Sequence, residues 1–171
     1  MKFLKIMCIG IASFLTSTSF ALLSYNPTDL KTFESTNQCS NCDFSDLNWW
    51  NGNDGATLNH SEAIINGSNF SGDDIENFNL SGSQGANSIF TNVYNVESSE
   101  TDFSGANLKG ADFSGSSLEN SNFSHADLTG ASFTNSDLMD ANFSSAIGAN
   151  LTNAKTICGA TMPDGSIGKC S

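Results

Sequence analysis

From Thr101 onward, a bulky apolar residue recurs at every fifth position. Thr-Asp-Phe-Ser-Gly (101–105) is followed by Ala-Asn-Leu-Lys-Gly and Ala-Asp-Phe-Ser-Gly, then by six more units of the same form, ending at Ser145. The centres are Phe103, Leu108, Phe113, Leu118, Phe123, Leu128, Phe133, Leu138 and Phe143. A small residue stands two places before each centre, and Asn, Asp or Ser lies between them. A period of five fits neither the 3.6 of a helix nor the 2 of a strand. Ordinary amphipathic elements are therefore excluded over this stretch, and a stacked repeat architecture is implied.

These units resemble the pentapeptide-repeat family, whose motif is summarised as Ala-(Asp/Asn)-Leu-x-x. The resemblance implies an all-β fold, a right-handed quadrilateral β-helix in which one pentapeptide forms each side and four close a coil. The central Phe or Leu and the small residue two before it would both point inward. Two residues per side share a narrow core, so only one of them has room to be large. Residues twenty apart then stack: Phe103, Phe123 and Phe143 on one side, with Phe113 and Phe133 opposite. Leu108 with Leu128, and Leu118 with Leu138, fill the other two sides. Neighbouring strands lie ~4.8 Å apart, a distance that permits offset contact between stacked rings.

The pattern continues upstream with defects. Ile65, Phe70, Ile75, Leu80 and Phe90 keep the spacing, with Gly85 as a gap, while Asp73 and Phe78 stand where small residues belong. A carboxylate facing an apolar core is costly, so a bulge or register slip is expected near Gly72–Phe78. The frame shifts again between Phe90 and Phe103, and by three after Phe143 to Ala149-Asn150-Leu151. Cys42-Asp43-Phe44-Ser45-Asp46 reads as an isolated first repeat, followed by an irregular loop around Trp49-Trp50. Solenoids need caps. Asn26 to Phe33 reads as a short capping helix, with Pro27 in its first turn, Asp29 complementing the dipole, and Leu30 and Phe33 laid on the first coil. At the other end, Met162-Pro163-Asp164-Gly165 is a turn signal.

The first 21 residues stand apart from this scheme. Lys2 and Lys5 precede an apolar run, Ile6–Leu15, and Ser19-Phe20-Ala21 offers small residues for cleavage. This is the pattern of a signal peptide removed after Ala21, and the run is too short to span a bilayer. The domains are then a signal peptide (1–21), an N-terminal cap (22–41), a repeat β-helix (42–157) and a C-terminal cap loop (158–171). No stable membrane span is expected after cleavage, and the mature chain is expected in the periplasm or outside the cell.

Composition sharpens the picture. The chain has 171 residues with 18 acidic against six basic, a formal charge of −12. Losing Lys2 and Lys5 leaves four lysines against the same 18 acids, a formal −14. Nucleic-acid binding is excluded, because phosphate neutralisation needs clustered Lys and Arg, and there is no Arg. Cys39, Cys42, Cys158 and Cys170 remain after cleavage, an even set that reads as disulfides in an exported chain. Four cysteines allow three connectivities; a Cys158–Cys170 bond would pin the C-terminal loop. A four-thiolate zinc site is the alternative, but it takes two close pairs and only Cys39-x-x-Cys42 is one.

Catalytic chemistry finds few candidates. His60 and His125 are the only imidazoles, with no partner spacing for a nucleophilic triad; His125 ends a repeat unit, an outward place. Asp73-Asp74 and Glu100-Asp102 lack the dense ligand spacing of a calcium loop and read as solvated charge. Cys39-x-x-Cys42 lacks the βαβ context of a redox pair. The Asn-x-Ser/Thr sequons, such as Asn122-Phe123-Ser124, fall out of the repeat itself. No catalytic residue, metal or cofactor is assigned. The expected function is an exported, non-enzymatic scaffold that binds a protein or envelope component; its residues leave the oligomeric state open, and the resemblance adds a homodimer as one option. The competing reading is an acidic DNA mimic that inhibits or protects DNA gyrase, as the resemblance implies. Asp102, Asp112, Asp127 and Asp137 would fall on four different sides, which argues against a continuous acidic stripe.

Overall fold

The computed structural model of the chain describes residues 26–44, 58–72, 78–93 and 101–170. Backbone pairing sets the coil. Asp102 pairs in parallel with Asn122 and Asn122 with Asn142; Asn107 pairs with Asp127 and Asp127 with Ile147; Asp112 pairs with Ser132, and Ser117 with Asp137. Every one of these partners lies twenty residues on, so four five-residue units close one coil and four ladders run along a rod. The sides are short. Among the described residues only Leu58–Asn59 (β1) and Phe78–Asn79 (β2) extend to two-residue strands, and they pair in parallel.

Each corner is a hydrogen-bonded turn. The N–H of Ala106 donates to the carbonyl of Phe103 (3.1 Å), that of Ala111 to Leu108 (3.0 Å) and that of Ala126 to Phe123 (3.1 Å). The third residue of each turn takes positive φ, as at Gly105 (65°), His125 (60°) and Asn135 (60°). A type II turn requires that conformation, which is why Gly, Asn and Asp crowd the last place of the units. The residue before each centre supports the same corner from outside. The Oδ1 of Asp102 accepts from the N–H of Ser104 (2.9 Å), and that of Asn142 from Ser144 (3.0 Å). These are Asx turns, the physical reason for Asn and Asp at that place.

The core is a column of rings. Phe103, Leu108, Phe113, Leu118, Phe123, Leu128, Phe133, Leu138 and Phe143 are all buried. Phe123 stacks on Phe103 at 4.9 Å and on Phe143 at 5.0 Å, with ring planes within 8°. The opposite ladder runs further than the regular units: Phe133, Phe113, Phe90, Phe70 and Phe44 follow one another at 4.9–5.0 Å. The two ladders meet edge to face at 5.4–5.6 Å, the arrangement the ring quadrupole favours. Several buried serines at the small position bond to corner carbonyls, whereas among the described residues the hydroxyls of Ser83 and Ser121 do not. Ser88 Oγ donates to Ile65 (2.6 Å), and Ser116 Oγ to Phe90 (2.6 Å).

Among the described residues, departures from twenty fall at three places. Gln38 pairs with Ile64 and Asp43 with Asn69, a spacing of 26, so six extra residues lie in the segment holding 45–57. Asn79–Asp102 and Ile89–Asp112 are spaced by 23, which puts three extra residues in the segment holding 94–100. Asp137–Thr156 and Asn142–Thr161 are spaced by 19, one residue short. The slip expected near Gly72–Phe78 does not occur in the net register. Asn59 pairs with Asn79, Ile64 with Gln84 and Asn69 with Ile89, all at twenty, because the ladder hydrogen bonds on both flanks hold the frame. Asp73 itself lies outside the described residues.

The N-terminal end is closed by helix α1, Pro27–Thr36. Asn26 caps it by accepting from the N–H of Thr28 (3.0 Å), Pro27 opens the first turn, and Asn37 ends it in the left-handed region. Its Phe33 is buried against the rings of Phe44 (5.3 Å) and His60 (4.4 Å). The coil begins at Gln38 and not at residue 42. Cys39 sits at a centre position over Ile65 and Cys42 at the small position of the next side, so the two sulfurs meet across the first corner. At the C-terminal end the ladder runs on through Thr161, which also pairs antiparallel with Ile167.

Candidate functional site

Chemistry-bearing residues are dispersed. His125 is exposed at a turn, while Nδ1 of His60 lies 2.7 Å from Oδ1 of Asn37 beneath the capping helix, a structural contact. Asp102 belongs to a ladder; Asp73, Asp74, Glu100 and the Trp49-Trp50 loop lie outside the described residues, as does the expected signal peptide. Cys39 pairs with Cys42 (Cα–Cα 5.6 Å) and Cys158 with Cys170 (4.3 Å), the arrangement that sets aside a four-thiolate zinc site. The Asp29 carboxylate and the sulfurs of Cys39 and Cys42 lie within 4.8 Å of one another. Bonded sulfurs are not thiolate ligands, so this group holds the first coil together. Among the described residues no helix is long and apolar enough to cross a membrane.

What the coil does present is four faces, and they differ. Asp102, Asp112, Asp127 and Asp137 stand on four separate ladders, so acidity wraps the rod. The faces over the Leu ladders carry ion pairs: Lys109 Nζ to Asp127 (3.0 Å) and Lys155 Nζ to Asp137 (2.9 Å). The Thr129 hydroxyl, then Lys109, hold the Asp127 carboxyl below its ordinary pKa, and Asp137 holds Lys155 above its own. The Ser166 hydroxyl lowers Asp164 in the same way.

The face over Phe103, Phe123 and Phe143 is different. Its ladder residues are Asn59, Asn79, Asp102, Asn122 and Asn142, each followed two places on by a serine: Ser61, Ser81, Ser104, Ser124 and Ser144. One rank of four amides, interrupted by the Asp102 carboxylate, and one rank of hydroxyls therefore run the length of five coils. The amides are fixed from two directions. Oδ1 of Asn122 accepts from the N–H of Ser124 (3.1 Å), while its Nδ2 donates to Asp102 Oδ1 (3.2 Å) and Asn142 Nδ2 donates to Asn122 Oδ1 (3.4 Å). From the sequence, only the acids are sorted among the four sides, and the amides and hydroxyls stay unsorted. Sorting them by the twenty-residue coil is the signal that separates this face from the rest.

Eight copies of the profile described as pentapeptide repeats match the chain, over residues 84–120, 106–144 and 116–155. The stretch 84–155 belongs to the pentapeptide-repeat family. Membership accounts for the parallel, four-sided coil and carries its right-handed sense. No curated protein sequence matches the chain. Solved structures similar to this chain include a pentapeptide-repeat protein from the cyanobacterium Cyanothece 51142. It is 19% identical over 71% of this chain and 98% of that one, with a TM-score of 0.33. QnrB1, a plasmid-mediated fluoroquinolone resistance protein, is 20% identical over 68% of this chain and 66% of that one, with a TM-score of 0.41. HetL, a pentapeptide-repeat protein involved in heterocyst differentiation regulation in Nostoc sp. strain PCC 7120, is 24% identical over 76% of each chain, with a TM-score of 0.25.

Proposed function

We propose that this protein is an exported, non-enzymatic scaffold that binds a protein or envelope component through the faces of its coil. The observation that carries the reading is the division of labour within each unit. Two residues are spent on the core and one on the turn, and the residues flanking the centre are left outward as a regular polar surface. Among the described residues the two histidines lie apart, one under the cap and one on an open corner. Export rests on the leader-like pattern of Lys2, Lys5, Ile6–Leu15 and Ala21, together with two disulfides, which persist in oxidising compartments. The gyrase-mimic reading is weaker here, because duplex DNA presents continuous charge and the carboxylates of this coil are divided among four ladders. Cell fractionation with intact-mass measurement tests the proposal. The expected product starts at Leu22 and is recovered outside the cytoplasm; an uncleaved cytoplasmic chain would overturn it.

A further inference from the structure

We infer that the face bearing Asn79, Asp102, Asn122 and Asn142 binds a neutral β-1,4-linked glycan laid along the rod, about one hexose per coil. This rests on the scaffold reading above and gives it a ligand class. A flat face cannot enclose a ligand, so affinity grows only by repeating a small contact from coil to coil. Such repetition stays in register only with a partner whose own period equals the coil rise. The stacked rings of Phe103, Phe123 and Phe143 fix that rise at 4.9–5.0 Å. An extended β-1,4-linked chain advances by nearly this distance per sugar, whereas an α-linked chain winds away from a flat surface.

The chemistry of the face agrees with the period. A side-chain amide offers two donors and an acceptor oxygen with two lone pairs, and a serine hydroxyl offers both roles. In Asn122 one amide hydrogen serves Asp102, which leaves the other for a ligand. These groups match the hydroxyl and acetamido groups of a sugar. Because the amides are already held in place, binding costs little side-chain entropy. Charge narrows the class further. Asp102 is the single acid in the two ranks, and the ion pairs Lys109–Asp127 and Lys155–Asp137 lie on the other faces. A mature chain of formal charge −14 repels polyanions, and a face with one acid gives a polycation no repeated counter-charge, so the partner polymer is neutral.

Co-sedimentation of the purified chain with chitin and with microcrystalline cellulose, against granular starch as the α-linked control, tests this. Sedimentation with either β-linked polymer and not with starch is the expected result. The double substitution Ser104→Lys and Ser124→Lys should weaken binding at least about tenfold, while Ser114→Lys with Thr134→Lys on the opposite face should leave it unchanged. Thermal melting confirms that each variant is folded. If the first pair fails to fold, Asn122→Gln, which keeps the amide but moves it off the rank, should still lower affinity. Failure of the native chain to bind, equal binding to starch, or equal loss from both faces would overturn the inference. An uncleaved cytoplasmic protein would sink the export reading yet leave this binding result intact.

Discussion

Buried serines separate two kinds of small residue at the inward place. Ser88 gives its hydroxyl hydrogen to the Ile65 carbonyl, whereas Ser83 Oγ is buried with no partner among the described residues. A buried polar group is stabilising only when it is bonded. Ser88→Ala should therefore cost about 1 kcal/mol, while Ser83→Ala should be neutral or stabilising by up to about 1 kcal/mol. Urea denaturation of the two variants side by side measures the difference; equal losses would show that the hydroxyls are equivalent. The requirement for a small side chain was plain from the sequence alone. Which serine finds an acceptor was not, because Ser88 reaches a carbonyl 23 residues away in the preceding coil.

At the scale of the coil corner, space as well as φ decides which residue fits. Gly130 and Gly148 both take positive φ, at 75° and 68°. A Cβ on Gly130 would find its nearest neighbour 4.0 Å away, at the Gly110 nitrogen, whereas one on Gly148 would lie 2.9 Å from the Thr129 Cα and 3.2 Å from its nitrogen. Gly130→Ala should cost about 1–2 kcal/mol, the ordinary penalty for an L-residue in the left-handed region. Gly148→Ala adds a clash with backbone and should cost a further ~1–3 kcal/mol. Melting temperatures of the two variants check the order. Gly, Asn and Asp fill the fifth position of most units, and the positive φ there identifies it as the turn place. The first corner was not legible in the sequence, because Gln38-Cys39 does not look like a repeat unit. Its centre is a cysteine, bonded across the corner to Cys42.

For the whole rod, charge and register are the global properties. Asp127 and Asp164 titrate below the carboxylate value of 3.8, so their contribution is present above that pH and lost as pH falls through their lowered values. Lys155 titrates above 10.5, so its contribution is present below that pH and lost as pH rises further. Asp164 and Lys155 are exposed and Asp127 is half-buried at the surface, and the effect is small. The melting temperature of Asp127→Asn should fall short of that of the native chain at pH 7 and approach it progressively as pH falls from 3.8 through the lowered value; a constant gap would contradict the assignment. Steric need writes the core into every fifth position from Phe103 to Phe143, but sorting those positions into four ladders needed the four-sided coil that the family resemblance implies. The register across Gly72–Phe78 could not be read from the sequence, since Asp73 and Phe78 break the pattern while backbone pairing on either side preserves it. The Asn and Ser ranks likewise emerge only when positions are sorted by coil. All of this depends on a coil of twenty residues, and ring-to-ring nuclear Overhauser contacts test it most directly. Phe123 should show strong contacts to the rings of both Phe103 and Phe143, and Phe113 to both Phe90 and Phe133. A Phe123 ring in contact with neither Phe103 nor Phe143 would contradict the four-sided coil.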